Sequence, residues 1–165
     1  MLHFLTRTQT LPISLAEAWA FFSNPANLCR ITPTWLDFRL TCPPPAPMYA
    51  GQILTYTIRP LPGLRLRWVT EITHVREPRF FVDEQRMGPY RFWHHQHLFR
   101  ETLQGVEMTD LVHYALPLGL LGDVAHALWA RNRLIAIFDF RRRLLDDLFQ
   151  SCPPPSPPTS QPPES

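Results

Sequence analysis

Between residues 34 and 116 the sequence carries six strand-like runs in succession, and one long helical stretch follows them. In these runs apolar and polar residues alternate and β-branched and aromatic residues are frequent, which predicts strands with one buried face. The connections are short and contain Gly or Pro, so neighbouring runs should pair as an antiparallel meander. The predicted strands are residues 34–42, 51–59, 64–75, 79–87, 91–101 and 106–116.

A sheet of this size needs a cover for its apolar face, and the stretch from Gly122 to Gln150 can supply it. The stretch predicts a single helix of about 42 Å. A curved sheet around a helix of this length is typical of proteins that enclose a cavity. The apolar residues that recur at helical spacing are Val124, Leu128, Ile135, Phe138 and Leu145.

The N-terminal part predicts a further strand and two short helices. Residues 3–11 alternate as a strand does, and Ser14 with Glu17 then forms a capping box that starts a helix. A second short helix begins at Pro25 and ends before Pro33. The chain is therefore predicted to be α+β, with a curved antiparallel sheet of about seven strands, a long C-terminal helix and two short helices after the first strand.

This order of elements resembles the helix-grip fold of the START-like superfamily, also called SRPBCC proteins. Several runs are similar to a bacterial branch of ligand-binding, polyketide cyclase/dehydrase-like members. They are NPANLCRITP (24–33), LRWVTEIT (66–73), FVDEQRMGPYRFWHHQH (81–97), MTDLVHYALPLG (108–119) and IFDFRRR (137–143). The resemblance covers residues 1–149 and implies the fold. It implies no single function, because the superfamily contains carriers, cyclases and ligand receptors.

Length and composition predict one domain over residues 1–150, followed by a disordered proline-rich tail at 151–165. A net charge of +2 does not create the strong positive potential that would attract nucleic acid. The tail could bind a protein partner that recognises proline-rich segments, or it could simply be solvated.

Other features predict a cytoplasmic protein. The three cysteines show no disulfide or zinc spacing, the N-terminus lacks the features of a signal peptide, and no run is apolar enough to cross a membrane. The apolar run at 116–129 could serve as a gate over the cavity, as a transient membrane contact, or as a loop packed on the sheet edge.

Three histidines fall within four residues, at His94, His95 and His97. Alternation along a strand places His95 and His97 on one face and His94 on the other, so the three cannot share a metal ion. If the neighbouring strands pair, Asp83 and Asp110 could meet His95 or His97. These four residues, Asp83, His95, His97 and Asp110, are the candidate catalytic residues.

Three interpretations of this group stay open. A network of hydrogen bonds that orients a ligand is the ordinary one, because polar groups in ligand pockets usually fix orientation. A His–carboxylate pair could also act as the acid and base of a cyclase or dehydratase. A zinc site would need further ligands, and no zinc-binding motif is present, so we predict no metal and no cofactor.

The function predicted is therefore binding of a small hydrophobic or amphipathic ligand, such as a lipid, an isoprenoid or a polyketide-like molecule, between the sheet and the long helix. The alternative is the cyclase/dehydratase-type enzyme. A third interpretation is a protein whose pocket is filled by its own side chains. The predicted ligand-binding residues are Tyr56, Trp68, Phe81, Asp83, Gln85, Trp93, His95, His97, Asp110, Tyr114, Leu128 and Ile135.

Overall fold

The computed structural model describes residues 1–41, 47–117, 119 and 129–150. The predicted tail, most of the proline cluster at 42–47 and most of the run at 116–129 lie outside these residues. The helices are α1 (Leu15–Phe22), α2 (Pro25–Arg30) and α3 (Arg131–Gln150), with a 3-10 turn at Thr34–Leu36. The strands are β1 (His3–Leu11), β2 (Arg39–Leu40), β3 (Gln52–Leu61), β4 (Leu64–Arg76), β5 (Phe80–Met87), β6 (Phe92–Thr102) and β7 (Gly105–Ala115).

The seven strands form one antiparallel sheet in the order β1-β7-β6-β5-β4-β3-β2. From β2 to β7 the order follows the chain, and β1 pairs with β7 at the far edge. This arrangement confirms the predicted meander and the helix-grip architecture. Within the described part of the chain, no helix is both long enough and apolar enough to cross a membrane.

The predicted start of α1 is confirmed in detail. The Glu17 backbone N–H donates to Ser14 Oγ at 3.2 Å, and the Ser14 N–H donates to Glu17 Oε2 at 2.9 Å. Each side chain thus satisfies a backbone donor that the first turn of a helix leaves unpaired. Helix α2 begins at Pro25, as predicted, with Asn24 as its N-terminal cap.

The run at 34–42 is the clearest error of the sequence-based assignment. Only Arg39–Leu40 pairs with β3, because the 3-10 turn at Thr34–Leu36 ends at Asp37, whose φ of 43° interrupts the extended chain. The Asp37 carboxylate lies 2.6 Å from Arg39, 3.1 Å from Arg59 and 2.9 Å from Arg65. These ion pairs hold the turn against the β3–β4 hairpin.

Helix α3 covers the inner face of the sheet and contacts it in separate places. Leu145 packs in an apolar cluster with Leu11 and Phe99, near α1. Leu134 and Phe138 pack in a second cluster with Trp93, Val112 and Tyr114. Gln9 on β1 ties the helix to the sheet edge by donating to Arg142 O at 3.0 Å and to Asp146 Oδ1 at 2.8 Å.

We expect Gly105→Ala to destabilise the fold more than Gly63→Ala does. Both glycines have positive φ, 120° and 78°. A methyl group at Gly105 would overlap Leu11 O, whereas at Gly63 it would meet nothing within 4 Å. The loss should be about 1 kcal/mol at Gly63 from backbone strain alone, and about 2–4 kcal/mol at Gly105. Urea unfolding measures both, and equal losses would contradict the steric explanation.

A cavity with a buried aspartate–histidine cluster

A cavity of about 400 Å³ lies between the inner face of the sheet, the short helices and α3. This volume is in the range of small-molecule sites, and the wall is mainly apolar and aromatic. The structure therefore has the space between sheet and helix that the sequence suggested. The predicted ligand-binding residues that lie in the wall are Tyr56, Trp68, Phe81, Asp83, Trp93, His95 and His97.

Gln85, Asp110, Tyr114 and Ile135 are not in that wall. The Gln85 side chain lies on the expected face of the sheet, but its amide is bound to the backbone of Tyr90. It donates to Tyr90 O at 2.6 Å and accepts from Tyr90 N at 3.2 Å. Tyr114 packs in the apolar cluster that Leu134 and Phe138 form against the sheet. Ile135 does not face the cavity, because its neighbour Leu134 lies on the side of α3 that faces the sheet. Leu128 lies outside the described residues.

Four predicted residues do meet, in a compact cluster on the inner face of the sheet. The central strand β6 pairs His95 with Asp83 of β5, and pairs His97 with Asp110 of β7. All four side chains therefore leave the same face of three adjacent strands. His95 is 4% exposed, His97 7% and Asp110 2%.

Each imidazole lies between the same two carboxylate oxygens. His97 Nε2 hydrogen-bonds Asp83 Oδ2 at 2.9 Å, and His95 Nε2 hydrogen-bonds Asp110 Oδ1 at 2.8 Å. The remaining nitrogens also face the carboxylates, with His95 Nδ1 at 3.2 Å from Asp83 Oδ2 and His97 Nδ1 at 3.0 Å from Asp110 Oδ1. The two rings lie 3.8 Å apart between their centroids. Trp93 Nε1 completes the arrangement by donating to Asp83 Oδ1 at 3.1 Å.

These contacts keep the cluster ionised. Burial by itself would lower the pKa of His95, but the charge of Asp83 and the hydrogen bond to Asp110 raise that pKa to about 9. Burial would raise the pKa of both carboxyl groups, yet the two histidines hold the pKa of Asp83 and of Asp110 well below the usual range. At neutral pH the cluster therefore holds two carboxylates and at least one imidazolium.

This geometry limits the chemistry that the histidines can do. A general acid or base needs a nitrogen that reaches the substrate. Both nitrogens of His95 and both of His97 are instead directed at carboxylate oxygens. His94 lies on the opposite face, as strand alternation predicts, where its Nδ1 is 2.8 Å from Glu84 Oε1.

Asp83, His95 and His97 are also the set that could hold a metal ion, with one ligand atom from each within 4.8 Å of the others. Two imidazoles and a carboxylate are a known zinc ligand set. A metal bound at His95 Nδ1 would have to displace the proton of that nitrogen and its contact with Asp83, because imidazole binds metals only in its neutral form. The ion-pair network thus competes directly with a metal.

Sequence analysis did not identify Arg141 as a cavity residue, because charged residues of a helix ordinarily form its solvated face. The side chain is 7% exposed and lies in the cavity wall. The signal was present in the helical spacing, since Arg141 falls on the same buried stripe as Leu134, Phe138 and Leu145. The charge of the residue concealed its position.

The mouth of the cavity carries a second arginine between two aromatic rings. The Arg133 guanidinium carbon lies 4.8 Å from the ring centroid of Trp35 and 5.6 Å from that of Trp129. Both tryptophans are partly exposed and line the cavity. Arg133 and the two tryptophans therefore line the entrance of the cavity.

We expect the free energy of unfolding to fall between pH 6.5 and 9. Because the folded-state pKa of His95, about 9, exceeds its ordinary 6.5, the folded protein keeps a proton that the unfolded chain releases. The stabilisation is complete below pH 6.5 and is lost as the pH rises through about 9. The loss should be on the order of 2 kcal/mol. Urea unfolding across this range measures it.

The matched variants are His95→Gln and His74→Gln, since His74 is exposed. The pH dependence should flatten in His95→Gln and persist in His74→Gln. A wild-type stability that stays constant from pH 6.5 to 9 would contradict an ionised cluster.

Elemental analysis of the purified protein should find no stoichiometric zinc, because His95 keeps its proton at neutral pH and a metal would have to displace it. One zinc ion per chain at pH 7 would overturn this view of the cluster.

No protein-family model matches the sequence, and no curated protein matches it. Solved structures do match over almost the whole fold. Protein Ms6760 from Mycobacterium smegmatis is 18% identical, with 90% of this chain and 91% of that chain covered at a TM-score of 0.65. TTHA0849 from Thermus thermophilus is 11% identical, with 90% and 98% covered and a TM-score of 0.68.

A plant protein shares the same architecture. Ginseng major latex-like protein 151 from Panax ginseng is 10% identical, with 90% of this chain and 98% of that chain covered at a TM-score of 0.65. The likeness at such low identity is one of fold. This chain has the helix-grip fold of the START-like superfamily that its sequence resembles.

Proposed function

We propose that this domain binds a small hydrophobic or amphipathic ligand, such as a lipid, an isoprenoid or a polyketide-like molecule, in the cavity between the sheet and α3. The observation that carries the proposal is the cavity itself, about 400 Å³ with an apolar and aromatic wall. Away from the cavity the inner face packs in an apolar cluster that includes Leu11, Met108 and Leu145. Space of this size in an otherwise packed core supports a ligand site.

The apolar wall would supply most of the binding free energy. A ligand that buries about 250 Å² of apolar surface gains about 6 kcal/mol before the costs of ordering it. That gain alone corresponds to a dissociation constant in the range of tens of micromolar. The polar groups of the wall would then set the orientation of the ligand.

The buried cluster contributes to this function as a rigid part of the wall. Asp83, His95 and His97 line the cavity, and hydrogen bonds and ion pairs fix them to one another and to Asp110. The cyclase or dehydratase alternative would use these same residues. Binding is favoured over it because all four imidazole nitrogens of the pair lie against carboxylate oxygens, and His97 Nδ1, which makes no hydrogen bond, is itself buried.

Leu66→Trp should weaken binding of the neutral dye N-phenyl-1-naphthylamine by tenfold or more. Leu66 lies in the cavity wall and is only half-buried, so a larger ring there would occupy ligand space. Fluorescence titration measures the dissociation constant. The matched control is Val69→Trp on the same strand, because Val69 faces away from the cavity, and it should stay within about twofold of wild type.

Absence of dye binding to the folded wild-type protein would contradict the proposal, as would equal weakening by the two variants. Native mass spectrometry of the freshly purified protein provides a second test. We expect an apolar molecule to co-purify with wild type and to be depleted in Leu66→Trp.

A further inference from the structure

Arg141 occupies an unusual position for an arginine. It lies on α3 with 7% of its surface exposed, and it lines the main cavity. Its guanidinium carbon is 4.9 Å from the ring centroid of Phe138. On its other side is a small pocket of about 20 Å³ shared with Gln9 and Asp110, which has room for about one water molecule. The side chain thus separates the apolar cavity from a polar recess.

This buried guanidinium lacks a partner. Its Nε makes no hydrogen bond, and within the described part of the chain no ion pair forms with Arg141. Exposed arginines of this protein do have carboxylate partners, for example Arg86 with Glu71 at 2.6 Å and Arg100 with Glu107 at 2.8 Å. Burial lowers the pKa of Arg141, and only the more distant charges of Asp110 and Asp83 oppose this. A buried cation without a partner costs stability, so its retention calls for an explanation.

The nearby carboxylates do not explain why a buried arginine is retained at this position. Asp83 and Asp110 are both within 3.2 Å of imidazole nitrogens of His95 and His97. The histidines therefore make the direct contacts with both carboxylates, and the Arg141 guanidinium forms no ion pair with either of them. An anion entering the cavity would meet a guanidinium whose donors are unused.

We infer that the ligand of this cavity is an amphipathic acid, whose carboxylate, sulfonate or phosphate group is bound by the Arg141 guanidinium while its apolar part fills the cavity. The inference rests on the proposed binding function and specifies the chemical class of the ligand. Arginine suits this role because its planar donors match two oxygens of such a group. The apolar wall and the ring of Phe138 exclude water and strengthen the contact.

Two dyes with the same arylamine frame test the inference. The first, 1-anilinonaphthalene-8-sulfonate, carries a sulfonate, and N-phenyl-1-naphthylamine carries none. Fluorescence titrations at one pH and ionic strength give both dissociation constants for wild type, Arg141→Gln, Arg133→Gln and Arg143→Gln. Arg133 is the cavity arginine at the mouth, and Arg143 is an exposed arginine of the same helix.

Arg141→Gln should weaken binding of the sulfonate dye by about tenfold or more and leave the dissociation constant of the neutral dye within about twofold of wild type. Arg133→Gln and Arg143→Gln should leave the ratio of the two constants unchanged. Arg141→Lys keeps the charge and should retain most of the preference for the sulfonate. This last variant keeps the test decisive if Arg141→Gln does not fold.

Thermal unfolding without dye is an independent readout. Removing a buried charge that has no direct partner should raise the melting temperature of Arg141→Gln by about 2–4 °C, whereas removing a structural ion pair would lower it. The sulfonate dye should then raise the melting temperature of wild type more than that of the variant.

The contrary results are distinct. If Arg141→Gln weakens both dyes equally or neither, or if Arg133→Gln removes the sulfonate preference, the inference fails while the binding function stands. A fall in the melting temperature of Arg141→Gln would assign Arg141 a structural role and also overturn it. If neither dye binds folded wild type, the proposed function fails, and the inference with it.

Discussion

The pairing of β6 between β5 and β7 is the constraint on which the rest of this structure depends. It places His95 opposite Asp83 and His97 opposite Asp110, with all four side chains on the buried face. A buried charge that is not paired and hydrogen-bonded costs stability. A shift of either neighbour by one residue would send its carboxylate to the other face and leave an imidazole without its partner. The cluster therefore fixes the register at the centre of the sheet.

The cavity exists because the sheet and α3 approach each other at separate places. Leu145 packs near α1, and Leu134 with Phe138 packs over the middle of the sheet. The apolar surface left between these contacts lines the cavity. Asp83, His95 and His97 lie in that wall, and their contacts with one another and with Asp110 hold them in place and make the wall rigid.

Arg141 differs from the cluster in this respect. The four clustered residues contact one another directly, whereas Nε of the buried Arg141 guanidinium makes no hydrogen bond. Under the proposed function, the polar specificity of the site would depend on this helix residue across from the sheet. The histidines, which are the most conspicuous polar group of the sequence, would serve mainly to hold the central strands together.

Local pattern determined much of this protein. Alternation predicted the strands and separated His94 from His95 and His97, and the capping box at Ser14 predicted the start of α1, because both depend on neighbours along the chain. Tertiary structure alone decided which face of the sheet is buried, that Asp37 breaks the run at 34–42, and that Arg141 is turned inward. These depend on contacts between residues far apart in sequence, whose cost or gain no local pattern contains.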